Sequence, residues 1–454
     1  MTDDDVVALV DDPGLRREVS AVALAETMLE RLERQQPRLH AMITITAPLA
    51  LEGARRVDEH RARGAPLPLD GLPVVIKDNV DVSGVPTTAG SRLFAGRTAA
   101  EDAEVTRRLR AAGAVILGKA NMHELAFGGT SRNEAFGYVV NPVAPDRIPG
   151  GSSGGSGAAV AADLCVAAIG TDTGGSIRLP ASLCGISGLR PTYGAVSTRG
   201  VQPVSWSLDT VGPLARSVSD VRAVLGVIAG FDPDDPYSVD QPLDLTGQDD
   251  VDGRRVGVVE SLLERSDPAI RSCVRNMADA LAAQGASLSP VDLPGADEAI
   301  EACGQLIKAE ALAVYREALA SQPELLEEGT RRRLALVAGL SGSDVALLRH
   351  ELFTFMRTTR VVLDTVDLLL LPTLACEAPL ADGSETVQTS NAVIPFTHLL
   401  SFARIPSLSI PCGVTPSGAP VGAMLAAPWW RDGLVLRAGA AVQAVTAWHR
   451  RRAL

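Results

Sequence analysis

Two glycine-dense turns, at 149–157 and 170–176, bracket one short apolar run and constrain this chain more than any other feature. The first reads Pro-Gly-Gly-Ser-Ser-Gly-Gly-Ser-Gly and the second Gly-Thr-Asp-Thr-Gly-Gly-Ser. Glycine lacks a Cβ, so backbone there can take positive φ and approach a ligand closely. Ser152 lies in the first turn and Ser176 in the second. A hydroxyl on such a turn is offered to whatever binds, with main-chain N–H groups free to point the same way. A serine nucleophile with an oxyanion hole needs that arrangement. No histidine stands near either turn, so the base need not be an imidazole.

Around the turns, helical and strand-like segments alternate. Residues 20–37 read as an amphipathic helix with Ser20 as N-cap, and a second helix is predicted over 46–63. Leu72-Pro-Val-Val-Ile is a buried strand that delivers Lys77 at its end. Residues 103–112 read as helix, 114–119 as strand, 158–163 as helix and 165–170 as the strand feeding the second turn. This alternation predicts an α/β sheet with helices on both faces, with chemistry gathered at strand ends. Further helices are expected over 217–230, 267–284, 295–320, 343–364 and 431–447. Strands are expected at 255–259, 367–372, 408–411 and 421–425, and Asp232 to Asp252, rich in Pro and Asp, reads as a linker.

The bulk numbers exclude several classes. A chain of 454 residues buries roughly three quarters of its unfolded surface and needs no staples to fold. The net charge of −12, from 42 Lys and Arg against 54 Asp and Glu, argues against nucleic acid as a partner. Six cysteines without C-x-x-C spacing read as free, buried thiols in a reducing compartment. The acidic start Met1-Thr-Asp-Asp-Asp has the wrong sign for a signal peptide, and no window is apolar enough to span a membrane. A cytoplasmic location is expected.

Three residues then stand out: Lys77, Ser152 and Ser176. Lys77 lies 75 residues before Ser152, which lies 24 before Ser176. In isolation, a lysine at a strand end reads as a solvated loop residue, and a glycine-serine turn as a linker or a phosphate cradle. A P-loop, however, needs Gly-Lys-Ser/Thr opening the helix, and no lysine follows these glycines. Buried apolar flanks argue against a linker.

Taken together, these motifs resemble those of the amidase signature family. Further matches are Gly71-Leu-Pro-Val-Val-Ile-Lys-Asp-Asn, Phe127-Gly-Gly-Thr-Ser-Arg-Asn-Glu-Ala-Phe-Gly and Gly188-Leu-Arg-Pro-Thr-Tyr-Gly. The likeness is dense over 70–216 and thin over 230–365. It implies a single large mixed β-sheet covered by helices on both faces. The implied organisation is an N-terminal helical segment (1–65), a signature core (66–230), a variable helical region packed on it (231–365) and the rest of the same sheet (366–454). It also implies roles: Ser176 as nucleophile, Ser152 as relay after a cis peptide bond, and a neutral Lys77 as base. The N–H groups of Thr173, Gly174, Gly175 and Ser176 would form the oxyanion hole. Gly128, Gly129, Arg178 and His398 are candidate substrate contacts, although Arg178 could equally tie its loop to the core. Asp172 and Ser153 are expected to brace the turns. No cofactor or metal is expected, since His123-Glu124 lacks the second histidine of a zinc helix. Trp429 and Trp430 line the pocket or pack on the surface.

One departure is Met424, where relatives often have Gln. Pro180-Ala-Ser-Leu-Cys-Gly and Ala426-Ala-Pro-Trp resemble amidases that act on biuret-type and other urea-like substrates. The expected function is hydrolysis of a C–N bond in a small amide or carbamate. Two alternatives stay open: the A-type glutaminase subunit of a tRNA amidotransferase, and a non-catalytic binding protein on the same scaffold. The expected partner is a small molecule, with no nucleic acid and no membrane; a homodimer stays open.

Overall fold

The computed structural model describes residues 2–382 and 387–452. The amphipathic segment near the N-terminus forms the helix Ala21–Leu39, where Ser20 Oγ accepts from Ala23 N at 3.1 Å. Its apolar stripe of Leu24, Met28, Leu29 and Leu32 is buried. Such spacing repeats on one face at 3.6 residues per turn.

Eleven strands among the described residues join one sheet. They are β1 (Met42–Ile45), β2 (Pro73–Lys77), β3 (Val115–Ala120), β4 (Ala167–Asp172), β5 (Ser187–Arg190), β6 (Thr210–Ala215), β7 (Arg255–Val259), β8 (Ser287–Val291), β9 (Leu368–Pro372), β10 (Ser407–Val414) and β11 (Pro420–Ala426). Their order is β1-β3-β2-β4-β6-β5-β10-β11-β9-β7-β8. Strands β3, β2 and β4 run parallel, as do β9, β7 and β8, and the remaining neighbours pair antiparallel. The sheet is therefore mixed, as the family resemblance implies.

Side-chain alternation covers both faces. Along β9, Leu368 and Leu370 join a core with Ile270, Val274 and Val435, from the helices Pro268–Ala283 and Asp432–Val445. Leu369 and Leu371 join a second core with Leu306, Leu352 and Phe402, from the helices Ala296–Ser321, Gly342–Leu363 and Pro395–Phe402. Successive residues of a strand point to opposite faces, so helices pack on each side.

Four strands, β1, β5, β6 and β8, are absent from the sequence-based expectation. β6 reads Thr-Val-Gly-Pro-Leu-Ala, which resembles a turn, yet it is fully buried between β4 and β5. Its ladder to β5 covers only Ala215 and Leu214 and stops before Pro213, which has no N–H to give. β8 is an exposed edge strand that contains Pro290. The segment 232–252 has no regular structure, but it is strapped down rather than free. Ser197 Oγ donates to Asp232 at 2.7 Å, and Thr198 N to Asp235 at 2.6 Å. The helix after the first glycine turn starts at Gly154, inside the turn, and runs Gly154–Ala161. No helix among the described residues is long and apolar enough to cross a membrane.

Candidate active site

The parallel pair β2 and β4 sets the geometry. Their register matches Val75 with Ala168 and Ile76 with Ile169. Lys77, the next residue of β2, therefore reaches the C-terminal end of β4, where ligands gather in sheets of this kind. Its side chain is fully buried. Lys77 Nζ donates to Ser152 Oγ at 2.7 Å and to Thr171 Oγ1 at 2.7 Å. Burial pushes the amine down to about 7, against the weaker pull of the Asp172 and Asp209 charges. At neutral pH a large share of Lys77 is thus uncharged.

Ser152 is also fully buried, and the peptide bond from Gly151 to it is cis. Ser152 O accepts from His123 N at 3.1 Å. The next residue joins the two turns, since Ser153 N donates to Ser176 O at 3.2 Å. Ser153 Oγ braces the strand end by donating to Thr171 O at 3.2 Å.

Ser176 is half-buried and lines a cavity of about 90 Å³. Thr173 and Gly174 share this wall, and Gly128 and Gly129 line it too. Two carbonyls of the second turn are occupied. Gly174 O accepts from Thr397 Oγ1 at 2.6 Å, and Gly175 O accepts from Leu179 N at 2.8 Å. The N–H groups from Thr173 to Ser176 donate to no protein acceptor among the described residues. Gly175 holds this shape at φ +138°, a region that side-chain-bearing residues avoid. A run of unpaired main-chain donors beside a serine has the groups with which a turn can bind an anion.

Asp172 anchors the turn from below. Arg178 grips it with two bonds of 2.9 Å, and Ile177 N donates to the same carboxylate at 3.2 Å. Burial alone would raise this carboxyl, but Arg178 and Arg190 hold it well below the usual range. Of the two readings of Arg178, its contacts fit the tie to the core and not the substrate contact. Its guanidinium is fully buried, bonded to Asp172 and to Ser401 Oγ at 2.6 Å, and lies outside the cavity wall. Met424 is buried against the same guanidinium, with its Sδ accepting at 3.7 Å. We expect Arg178→Ala to lower stability by about 3–5 kcal/mol, the cost of breaking a buried pair. Denaturant melts read the loss directly; an unchanged midpoint would contradict it.

His398 does line the cavity. Its Nδ1 donates to Ile300 O at 3.3 Å, and burial pushes the ring down to about 4. The imidazole is therefore neutral, and Nε2 keeps its lone pair. A Cβ on Gly174 would meet that Nε2 at 2.7 Å, so the lone pair lies beside the second turn. His123 is neutral as well, held well below its ordinary value by burial and by Arg333. Arg333 Nη1 donates to its Nε2 at 3.3 Å, and its Nδ1 faces Thr130 Oγ1 at 3.3 Å. No group of three or more metal-ligating side chains occurs among the described residues. Trp429 packs in the second core, donating Nε1 to Ala403 O at 3.0 Å.

Sequence reasoning missed Thr171, Asp209, Lys308 and Arg333. Thr171 takes two donors, Lys77 and Asn79 Nδ2 at 3.2 Å. Thr173 Oγ1 donates to Asp209 at 2.5 Å. Lys308 and Arg333 line the cavity from helices that carry no motif. The run Arg331-Arg-Arg reads as a solvated face, and only the fold turns Arg333 inward.

The family model named Amidase matches residues 23–436, and the chain belongs to that family. The A-type subunit of glutamyl-tRNA(Gln) amidotransferase from Chloroflexus aggregans is 38% identical, covering 96% of this chain and 95% of the relative. A solved chain from "an unexpected vestigial protein complex", described as revealing the origins of an s-triazine catabolic enzyme, superposes with a TM-score of 0.90. It is 32% identical, with 98% of each chain covered. The A-type amidotransferase subunit of Thermotoga maritima superposes with a TM-score of 0.77 at 29% identity, covering 93% of this chain and 91% of that one.

Proposed function

We propose that this chain is a serine amidohydrolase that opens the C–N bond of a small amide, carbamate or urea-like substrate. The observation that carries the reading is a buried Lys77 amine, pushed down to about 7 and bonded at 2.7 Å to Ser152 Oγ. In this scheme Ser176 Oγ attacks the carbonyl carbon and passes its proton to Ser152, which passes its own to Lys77. The carbonyl oxygen becomes an oxyanion held by the free N–H groups of the second turn. One such donor is typically worth about 2.7–4 kcal/mol of barrier. The C–N bond then breaks, and the relay returns the proton to the leaving nitrogen. Water attacks the acyl-enzyme through the same relay, releasing the acid and restoring Ser176.

A second reading, the A-type glutaminase subunit of an amidotransferase, is favoured by the names of relatives at 38% identity. One experiment separates the readings. The purified lone chain is given small amides, ureas, carbamates and glutamine, and released ammonia or amine is measured. We expect release from a small amide or urea-like compound without any partner chain. Glutamine turnover that appears only with partner chains would establish the second reading. Failure of Ser176 to react with an uncharged serine-directed phosphonate would leave only a binding protein.

A further inference from the structure

We infer that the cavity selects an amide whose far end carries a carboxylate, and that Lys308 is the residue that reads it. The inference rests on the hydrolase reading above and concerns the part of the cavity wall that the helix Ala296–Ser321 supplies.

Lys308 projects from the helix Ala296–Ser321 into the cavity wall. It is half-buried, yet it makes no hydrogen bond and no ion pair among the described residues. An ammonium offers three donors and seldom stays partly buried without partners. Arg333 stands in the same wall. Its nitrogens donate to Ser390 Oγ at 3.1 Å and to His123, and no carboxylate lies within ion-pair distance among the described residues. Two cations thus face one small space.

No aspartate or glutamate lines that space. Glu310, just beyond Lys308 on the same helix, is drawn away by Ser205, Ser207 and Arg349. Much of the remaining wall is apolar, including Phe127, Leu179, Ile307 and Ile394. Apolar walls strengthen whatever charge pairing occurs between them. Burial holds the Lys308 amine below its usual range, against the Glu301 charge and with a smaller push from Arg333, and an anion would relieve that. Gly304 lies beside both groups: a Cβ there would stand 3.4 Å from His398 Cε1 and 3.7 Å from Lys308 Nζ, at ordinary contact distances. The His398 lone pair adds an acceptor for a substrate N–H. A ligand ammonium, such as the one glutamine carries, finds no carboxylate in this wall.

The test is protection of Ser176 from an uncharged serine-directed phosphonate. Three small competitors differ in charge: succinamate, neutral succinamide and cationic β-alaninamide. Succinamate is expected to protect at about tenfold lower concentration than succinamide, the size of one charge-assisted hydrogen bond. β-Alaninamide and glutamine are expected to protect less well than succinamate. Lys308→Met should erase the preference, and Lys308→Arg should keep it. Equal protection by succinamate and succinamide in the unmodified protein overturns the inference, as does an undiminished preference in K308M. That comparison in the unmodified protein decides alone if a variant does not fold. No labelling of Ser176 at all overturns the hydrolase reading instead, so the two failures are distinct.

Discussion

Ser176→Ala is expected to lower kcat by about 10³–10⁶-fold while leaving the fold intact, as when a serine nucleophile is removed elsewhere. The serine contributes its hydroxyl to the cavity, whereas the turn is held by its carbonyls and by the Asp172 pair. Its removal should therefore cost little stability, and melting curves of the two proteins should overlay. Amine or ammonia release and phosphonate labelling should both vanish. Full turnover in the variant would sink the acyl-enzyme scheme.

Lys77→Met should be nearly as severe, and its pH profile is the sharper test. The base must be uncharged, so kcat/KM of the unmodified protein is expected to rise through pH about 7 and level off above it. The variant should be slow and lack that limb. Stability gives an independent sign. The folded amine titrates at about 7 and the unfolded one at its ordinary 10.5, so between these values the unfolded chain binds more protons. The Lys77 contribution therefore makes the fold more stable as pH rises across that window. Lys77→Met should lose this slope, and Tm measured from pH 6 to 10 reads it. A profile identical to that of the unmodified protein would rule out Lys77 as the titrating base.

Much of this was legible beforehand because local chemistry and global fold agree at the turns. Gly175 needs its left-handed backbone, and Ser20 caps the helix that its neighbours' spacing demands. β2 reads as buried because it is a continuous apolar run. What stayed hidden depends on contacts between distant segments. Pro213 and Gly212 mask β6 as a turn, and only its neighbours β4 and β5 make it a strand. Arg178 reads equally as a ligand contact or as a tie to the core, because nothing local announces that Asp172 and Ser401 claim it. Lys308 and Arg333 sit on ordinary amphipathic helices, where a charge reads as solvent-facing. A sequence states which residues are charged, while the packing of helices decides which of them lose their water.

The reacting groups and nearly half of the wall around them come from different lengths of chain. Lys77, Ser152 and Ser176 ride on the early strands and their turns. Gly304, Lys308, Arg333 and His398 arrive from helices more than a hundred residues later. An ancestor could thus exchange one guest for another by altering late helices alone, with the bond-breaking apparatus inherited unchanged. Laboratory evolution aimed at new guests has the same short stretch of chain to diversify.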